Sequence, residues 1–445
     1  MSDKTKNDEA WEKLFDKYNI LQCIDNVGTF KISADQIREF REPRLMTKFD
    51  HHMNLPQVFK DKKLAILPVT RGDYIIGRFN VYHDFEEDTS SITKVQIPDY
   101  IESLSKEGIT SEAIALNTAL ASKIVADFLG EDDDKLVSTV SGRMGSGEFS
   151  FRIDDNKTGA PSNYIKVSKA QIEIDAAYEG LESLSIFEAK MDLSADFLVR
   201  QLYYPFRVWE QRIRKRVRPV FLIYSNGIYT LKEYSFENIE NYNSLKLVKQ
   251  KRYSLEDTSL PITIDDIYNI LNFVSYCEEP DRIPFPQADK FEKVINICEL
   301  IQNRQEYLTK EKITEEFEFD KRQSDYYTNA ARYLGLVEKS IKKNKDGKNK
   351  DGSIRYYTIT EKGKHILSMN YRQRQLSFVQ CILEHKVFAD ALRSFLETGK
   401  APTKTEIKQI IENNHIKKIS GDTLNRRASS VSGWINWIVS LNNEA

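Results

Sequence analysis

The chain has 445 residues, of which 30% are charged, and a formal net charge of −2. This length predicts roughly two to four domains. The near-neutral balance excludes a uniformly basic coat for nucleic acid, but it is compatible with a local basic channel, because acidic and basic residues are both abundant and can segregate.

The first block, up to about Thr110, predicts a short helix followed by strands. The helix covers Ala10 to Tyr18, and the strand-like segments read LAILPVT and YIIGRFNVYHDF. Between them, REPRLMTKFDHH is dense in cations, so Arg41, Arg44 and Lys48 are candidate contacts for DNA phosphates or bases. A solvated or salt-bridged loop is the alternative for this segment.

The next block opens with the helical segment SEAIALNTALASKIVADFLG, with Thr110-Ser111 as its N-terminal cap and Gly130 as its end. After an acidic run comes SGRMGSGEF, residues 141 to 149, in which glycines surround Arg143. Such a backbone can approach phosphates closely, which makes Arg143 a candidate DNA contact. A plain flexible turn is the alternative.

A predicted β-hairpin follows. IKVSKAQIEID, residues 165 to 175, alternates polar and apolar side chains as a strand does, and the turn around Gly180 returns the chain into SLSIFEAK. A helix is predicted from about Ser194 to Lys215, kinked or divided at Pro205. Two further strands, RPVFLIYSN and IYTLKEYSF, complete the order strand, strand, helix, strand, strand.

The hairpin carries the residues with the most specific chemistry. Asp175 and Glu188 are 13 residues apart (188 − 175), and Lys190 lies two residues further on, so Glu188 and Lys190 share one face of a strand. Two nearby carboxylates suit Mg²⁺, and a neighbouring ammonium can orient an attacking water and stabilise charge on a phosphate. The pattern indicates metal-assisted phosphodiester cleavage, although such a spacing also occurs by chance.

A proline-marked linker, EEPDRIPFPQADK, precedes a second pattern of three helices and a hairpin. This order resembles a winged helix-turn-helix, whose recognition helix enters the major groove while the wing reaches the backbone. Protein interaction is the alternative role for such a module. Arg, Gln and Asn side chains can read base edges and lysines attract phosphates, which gives as candidate DNA contacts Arg322, Gln323, Ser324, Tyr327, Asn329, Arg332, Lys343 and Lys345.

The final block, from about Tyr371, is predicted to be a small helical module. It carries Arg426 and Arg427 near a helix start, where phosphate contact and a plain surface role are equally open. Trp434 and Trp437 are spaced i, i+3, and they are predicted to belong to the core rather than to stack on bases.

The segments SGRMGSGEFSFRI, QIEIDAAYEG, IFEAK and RQLYYPFRVW together resemble the PD-(D/E)XK nuclease superfamily, and specifically its type II restriction endonucleases with C-terminal winged-helix modules. The chain departs from the superfamily pattern at Ile174, where a proline often precedes the first acid. The resemblance implies an α/β fold with a mixed-sheet nuclease core (residues 111–280), an α+β N-terminal domain (1–110), a winged helix (285–370) and a C-terminal helical module (371–445).

The resemblance also assigns roles to residues. Asp175 and Glu188 would be metal ligands, the Ala189 carbonyl a further ligand, and Lys190 the catalytic lysine. An additional acid often comes from an earlier element, and Glu112 and Glu148 are both candidates. Glu173 is expected to pack or form a salt bridge beside the site. Gln201 would support the site, with a helix-surface role as the alternative. The implied cofactor is Mg²⁺.

The function indicated is therefore sequence-specific hydrolysis of double-stranded DNA. The alternatives are a non-catalytic winged-helix regulator with a nuclease-like scaffold, and a structure-selective repair nuclease or junction resolvase. A homodimer is expected because a duplex has two strands to cut, and a DNA methyltransferase is expected as the genetic partner.

The scattered cysteines lack metal-ligand spacing and fit a reducing cytoplasm, where the protein is expected to reside. No apolar stretch approaches membrane-spanning length, and the polar segment MSDKTKNDEAWEK is unlike a signal peptide, so no membrane association is expected.

Overall fold

The computed structural model describes residues 4–88, 90–159, 161–255, 260–304, 308–316, 321–343, 353–416 and 421–444. It is a mixed α/β structure with a central mixed sheet and a helical C-terminal region. None of the helices in these ranges combines the length and apolar character that crossing a bilayer requires.

The N-terminal region is helical with a small sheet. Its helices are α1 (Lys6–Tyr18), α2 (Ile20–Val27), α3 (Ala34–Arg38), α4 (Pro43–Thr47) and α5 (Gln57–Lys62), and its strands are β1 (Thr29–Ser33), β2 (Ala65–Pro68), β3 (Asp73–Gly77), β4 (Tyr82–Asp84) and β5 (Ile92–Val95). Strands β1, β3 and β2 form an antiparallel sheet in that order. Helix α1 buries Trp11 and Leu14 against Phe59 of α5, so this region has its own core.

The central region holds most of the strands. Its elements are α6 (Glu112–Ala121), α7 (Ile124–Leu129), β6 (Val137–Gly145), β7 (Glu148–Asp154), β8 (Pro161–Ser168), β9 (Gln171–Glu179), β10 (Ser183–Lys190), β11 (Asp196–Leu198), α8 (Arg200–Glu210), β12 (Arg216–Ser225), β13 (Ile228–Phe236), β14 (Leu245–Leu255) and α9 (Ile264–Phe273).

The C-terminal region is mainly helical. Its elements are α10 (Phe291–Asn303), α11 (Lys310–Glu316), α12 (Lys321–Tyr333), β15 (Val337–Lys343), β16 (Ser353–Ile359), α13 (Glu361–Leu367), α14 (Tyr371–Leu383), α15 (Lys386–Thr398), α16 (Lys404–Asn413) and α17 (Asp422–Ser440). Short 3-10 turns lie at His52–Asn54, Lys106–Gly108, Asp133–Lys135 and Leu441–Glu444.

The central sheet has the strand order β5-β14-β13-β12-β10-β9-β6. Strands β10 and β12 run parallel and are connected through α8, while β9 and β10 form the predicted antiparallel hairpin. Both faces of the sheet are covered: one apolar cluster includes Ile186 and Leu202 of α8, and the other includes Phe187 and Leu116 of α6. Burial on both faces explains why β12 reads as a continuous apolar run.

Some predicted elements are divided in the structure. The strand predicted from residue 165 to 175 is two strands, β8 and β9, separated at Lys169, whose φ of 54° is left-handed. The predicted helix before Gly130 breaks at Lys123, with a φ of 62°, into α6 and α7. A single lysine in the left-handed region leaves no pattern in the sequence, so periodicity continued across both breaks.

The helix predicted from Ser194 to Lys215 is shorter in the structure. Residues Asp196–Leu198 form β11, which pairs with β4, and α8 starts only at Arg200. Pro205 lies inside α8 without dividing it, so the predicted division is wrong. Pro205 nevertheless has no N–H for the carbonyl of Gln201, four residues earlier.

The predicted domain boundaries stay predictions, but two contacts across them are notable. Strand β5, from the first predicted domain, pairs with β14 and extends the central sheet. The predicted winged helix and helical module share one cluster of buried residues that runs from Ile262 to Leu441. Trp434 lies inside that cluster with 0% exposure and Trp437 with 5%, which confirms that both belong to the core.

Candidate active site

The two acids lie where the β9–β10 ladder ends. Regular pairing runs as far as Phe187 opposite Ala176, one residue before Glu188 and one residue after Asp175. Beyond that point, the Asp175 Oδ2 atom accepts a hydrogen bond from the Ala189 N–H at 2.8 Å. The side chain of Asp175 therefore replaces a main-chain partner, and the strands separate at the position of the two carboxylates.

Glu188 and Lys190 point to the same side of β10 and contact each other. Lys190 Nζ donates to Glu188 Oε1 at 2.7 Å. The same oxygen accepts from Gln201 Nε2, on α8, at 2.6 Å. Gln201 therefore contacts the site directly, and its Oε1 atom is buried with no hydrogen-bond partner. The residue between the acid and the lysine, Ala189, points into the opposite apolar cluster, as the strand alternation predicts.

Of the two additional acids considered, the structure brings Glu112 to the site. Glu112 is the first residue of α6, and its Oε1 atom lies 3.8 Å from Lys190 Nζ. Glu148 instead lies on β7, in a separate two-stranded sheet, where its carboxylate accepts from Ser168. Glu173, two residues before Asp175, forms the expected salt bridge, with Arg143 at 3.2 Å.

The N-terminal region contributes an acid that the sequence did not indicate. Asp50 is 5% exposed and interacts electrostatically with Lys190 and Glu188. Lys48 Nζ lies 3.3 Å from its carboxylate, with the Lys48 side chain largely exposed. Asp50 stands in a cation-rich segment with two histidines, and this segment shows no periodic pattern. Asp50 precedes Lys190 by 140 residues (190 − 50), so no spacing rule in the sequence pairs the two residues.

The pKa values of these groups reflect burial and mutual repulsion. Burial raises the pKa of Glu188 to about 8; Asp175 adds to the increase and Lys190 opposes it. Burial also raises the pKa of Asp175 and of Glu112, again against the opposing effect of Lys190. A bound cation would favour the ionised form of these carboxyl groups, because its positive charge offsets both the cost of burial and the repulsion between neighbouring carboxylates.

Lys190 and Asp50 are shifted toward their charged forms. Burial alone would lower the pKa of Lys190, but Glu188, Glu112 and Asp50 outweigh it and raise that pKa well above its usual value. Burial alone would raise the pKa of Asp50, and Lys190 with Lys48 outweighs it and keeps that pKa below its usual value. Lys190 therefore carries its proton at neutral pH and acts as a hydrogen-bond donor and a positive charge.

The donor set fits a hard cation. Among the residues that the structure describes, no group of three or more His, Cys, Asp or Glu side chains is arranged to hold a metal ion. Mg²⁺ needs only one or two carboxylates, with water and phosphate oxygens as its other ligands. Asp175 and Glu188 supply that number, and the unpartnered amide oxygen of Gln201 is an acceptor available to a metal-bound water. The role of the Ala189 carbonyl stays a prediction.

The predicted recognition helix corresponds to α12, and two of its candidate contacts face inward. Ser324 and Tyr327, one turn apart, are buried: Ser324 contacts Thr314, and the Tyr327 hydroxyl donates to Asp289 at 3.3 Å. This burial corrects the prediction that they contact DNA. The helical spacing that places them together also points them toward α10 and α11.

The other predicted DNA contacts are distributed as follows. Gln323, Asn329 and Arg332 are half-buried on α12, and Arg332 donates to Asn329 at 2.8 Å. Arg41 is half-buried, Arg44 lies exposed on α4, and Arg143 lies exposed on β6. The side chains of Arg322 and Lys343 and the whole of Lys345 lie outside the described residues.

Comparison with known proteins gives three matches to family models, each described as a domain of unknown function. DUF6996 matches residues 8–76, DUF6997 residues 77–254 and DUF7226 residues 293–443. No curated protein matches the chain, and no solved structure matches it. Asp50 thus lies in the first matched segment, and the β9–β10 acids, Lys190 and Gln201 lie in the second.

Proposed function

We propose that the protein is a Mg²⁺-dependent, sequence-specific endonuclease that hydrolyses double-stranded DNA, as type II restriction endonucleases do. The observation that carries this proposal is the convergence of Asp175, Glu188 and Lys190 at the open end of one hairpin. Lys190 Nζ contacts Glu188 at 2.7 Å, and the Asp175 carboxylate accepts at 2.8 Å from the N–H of Ala189, the residue between them. Two neighbours of this buried cluster are exposed to solvent: the Glu112 side chain, 3.8 Å from Lys190, is 43% exposed, and the Lys48 side chain, 3.3 Å from Asp50, is 65% exposed.

Each residue has a physical task in this reaction. Asp175, held by the Ala189 N–H, and Glu188, held by Gln201, would bind Mg²⁺. When bound, Mg²⁺ supplies a Lewis acid that stabilises charge on phosphate oxygens and lowers the pKa of a bound water. Lys190 remains protonated, so it orients the attacking water and stabilises the negative charge that develops on the phosphate.

Sequence reading is proposed for the C-terminal region. The order α10, α11, α12 and the β15–β16 hairpin is that of a winged helix-turn-helix. Gln323, Asn329 and Arg332 are the candidate α12 side chains proposed to reach base edges, because they are half-buried, whereas Ser324 and Tyr327 are buried. The presence of this module beside a separate N-terminal region favours sequence recognition over structure recognition.

The test is cleavage by single-residue variants. Asp175→Ala, Glu188→Ala and Lys190→Ala are each expected to lower the cleavage rate of phage DNA by about 10²–10³-fold or more, because the first two remove proposed Mg²⁺ ligands and the third removes the positive charge that faces the phosphate. DNA binding, measured by mobility shift with Ca²⁺ in place of Mg²⁺, should survive in all three variants.

The matched control is Glu182→Ala, which removes an exposed acid from the turn between β9 and β10. It is expected to change the rate by no more than about threefold, as surface substitutions do. Cleavage retained by all three site variants would refute the proposed function. A wild-type protein that binds DNA and never cuts it would favour the non-catalytic regulator.

A further inference from the structure

Helix α10 carries two polar residues on an otherwise apolar buried surface. Asn296 is 1% exposed and is flanked by Ile295 and Ile297, which are fully buried. Glu299, three residues later, lies on the same side of the helix. Burying an amide and a carboxylate costs free energy unless they form hydrogen bonds. The hydrogen-bond partners of these two residues therefore show which segments this face of α10 contacts.

Asn296 binds the chain immediately after Lys190. Its Nδ2 atom donates to the Met191 carbonyl at 2.9 Å, and its Oδ1 atom accepts from the Leu193 N–H at 3.4 Å. These two bonds fix the segment from Met191 to Leu193 from both sides. Lys190 is the last residue of β10, so the segment held by Asn296 begins directly after the end of that strand.

The same face of α10 also holds the end of β12, the parallel neighbour of β10. The Glu299 carboxylate accepts from the Asn226 N–H at 2.9 Å and from Ser225 Oγ at 3.0 Å. Asn296 Nδ2 reaches the same serine hydroxyl at 3.1 Å. The Asn226 side chain in turn exchanges two hydrogen bonds of 3.0 Å with Gln375 of α14.

Helix α10 also packs on α12. Tyr327 of α12 donates to Asp289, just before α10, and Ala330 and Ala331 belong to the same buried cluster as Val294. Close-packed interiors transmit displacement rather than absorb it. A shift of α12 therefore moves α10, and with it the two strand ends that α10 holds.

We propose that Asn296 is a positioning residue that places Lys190 for cleavage according to how α12 sits on DNA. This inference rests on the proposed endonuclease function and adds to it a route by which the reading helix controls cutting. The substrate it concerns is a DNA duplex that carries the recognised sequence, as opposed to one that lacks it. Asn296 acts through the backbone at Met191 and Leu193 and has no contact with the acids in this structure.

The experiment compares Asn296→Ala with Gln302→Ala, an exposed residue of the same helix, as the control. Wild-type protein is first incubated with unmethylated phage DNA, and the sequence at the fragment ends defines a short cognate duplex. Single-turnover cleavage of this duplex with Mg²⁺ and its Kd with Ca²⁺ are then measured for each variant. Asn296→Ala should cut about 10–100-fold more slowly, because small misplacements of a reacting group have effects of this size.

The Kd of Asn296→Ala should stay within about threefold of wild type, since the α12 surface is unchanged. Hydrogen exchange at the Leu193 N–H, which donates to Asn296, should become slower when the cognate duplex binds to wild type, and this response should be lost in Asn296→Ala. If Asn296 has only a structural role, Asn296→Ala should instead bind DNA more weakly and cut it more slowly, both in proportion to the fraction of protein that is unfolded.

Ser225→Ala is the second variant if Asn296→Ala does not fold, because it removes only the hydroxyl shared by Asn296 and Glu299. It should slow cutting by about threefold or more with Kd unchanged. A wild-type protein that cuts, together with variants that cut equally fast, would overturn this inference alone. A wild-type protein that does not cut would overturn the proposed function and the inference with it.

Discussion

Glu188 is a buried carboxylate, which costs free energy, and it is also a proposed Mg²⁺ ligand. It is 8% exposed, and its Oε1 atom already receives hydrogen bonds from Lys190 and Gln201. Burial raises the pKa of this carboxyl to about 8, so its ionisation changes within the neutral to mildly alkaline range. Binding a divalent cation there requires the proton to leave, so cation binding and pH are linked.

This linkage predicts how Mg²⁺ stabilises the protein. At fixed Mg²⁺ concentration, the rise in Tm caused by the metal should increase from pH 6.5 to pH 8.5, because the apparent affinity gains up to about tenfold per unit below the pKa of Glu188. Without metal, stability should change with pH in the opposite direction. A carboxyl group whose pKa is raised in the folded protein contributes stability at low pH, and this contribution is lost as pH rises through about 8. Thermal unfolding with and without Mg²⁺ across this pH range checks both.

Glu188→Gln serves as the control for this prediction. The variant keeps the size of the side chain and removes its charge, so both pH trends should flatten. A metal-induced Tm increase that is the same at pH 6.5 and 8.5, or that survives unchanged in Glu188→Gln, would argue against Glu188 as a ligand.

At this scale, the sequence predicted the residues that are close along one hairpin. Asp175, Glu188 and Lys190 are linked by strand alternation and a short turn, which are local properties. Gln201 lies on α8, in the connection that follows β10, and its role beside the site was also predicted. Asp50 and Asn296 were not predicted, because their contacts with the site depend on how distant segments pack, and no spacing rule describes that packing.

At the scale of elements, the predicted order strand, strand, helix, strand, strand is present as β9, β10, α8, β12 and β13, but β11 and the division between β8 and β9 were not predicted. Apolar runs such as β12 and alternating runs such as β13 are recognisable because burial imposes their pattern. The break between β8 and β9 depends on one lysine backbone angle, and β11 depends on a partner strand, β4. Neither feature is visible in local periodicity.

Helix α17 provides a test of the core that joins the C-terminal helices. Trp434 is fully buried, packs against Phe291 and donates its indole N–H to the Ala288 carbonyl at 2.6 Å. Trp434→Ala should therefore lower the free energy of unfolding by about 3–5 kcal/mol, through lost packing and an unfilled cavity. Denaturant unfolding followed by circular dichroism measures this change.

Phe273→Ala is the matched control, because Phe273 is an aromatic residue that is 85% exposed. It should change the free energy of unfolding by no more than about 0.5 kcal/mol. If Trp434→Ala instead leaves stability unchanged and weakens DNA binding, the tryptophan is a stacking surface and its placement in the core is wrong.

At the scale of the whole molecule, each of the three segments matched by a family model contributes residues at or next to the candidate active site. The first supplies Asp50 and Lys48, the second supplies the hairpin and Gln201, and the third supplies Asn296 and Glu299. The composition predicted several domains and no overall basic character, but it could not predict that they meet at one site, because docking depends on surface shape. The homodimer and the partner methyltransferase stay predictions.

The most direct measurement is the incubation of the purified wild-type protein with unmethylated phage DNA and Mg²⁺, followed by sequencing of the fragment ends. Discrete fragments whose ends share one sequence are expected, and the DNA should stay intact when Mg²⁺ is replaced by a chelator or when Lys190→Ala replaces wild type. DNA that remains intact with wild-type protein under conditions where it is bound would contradict the proposed endonuclease function.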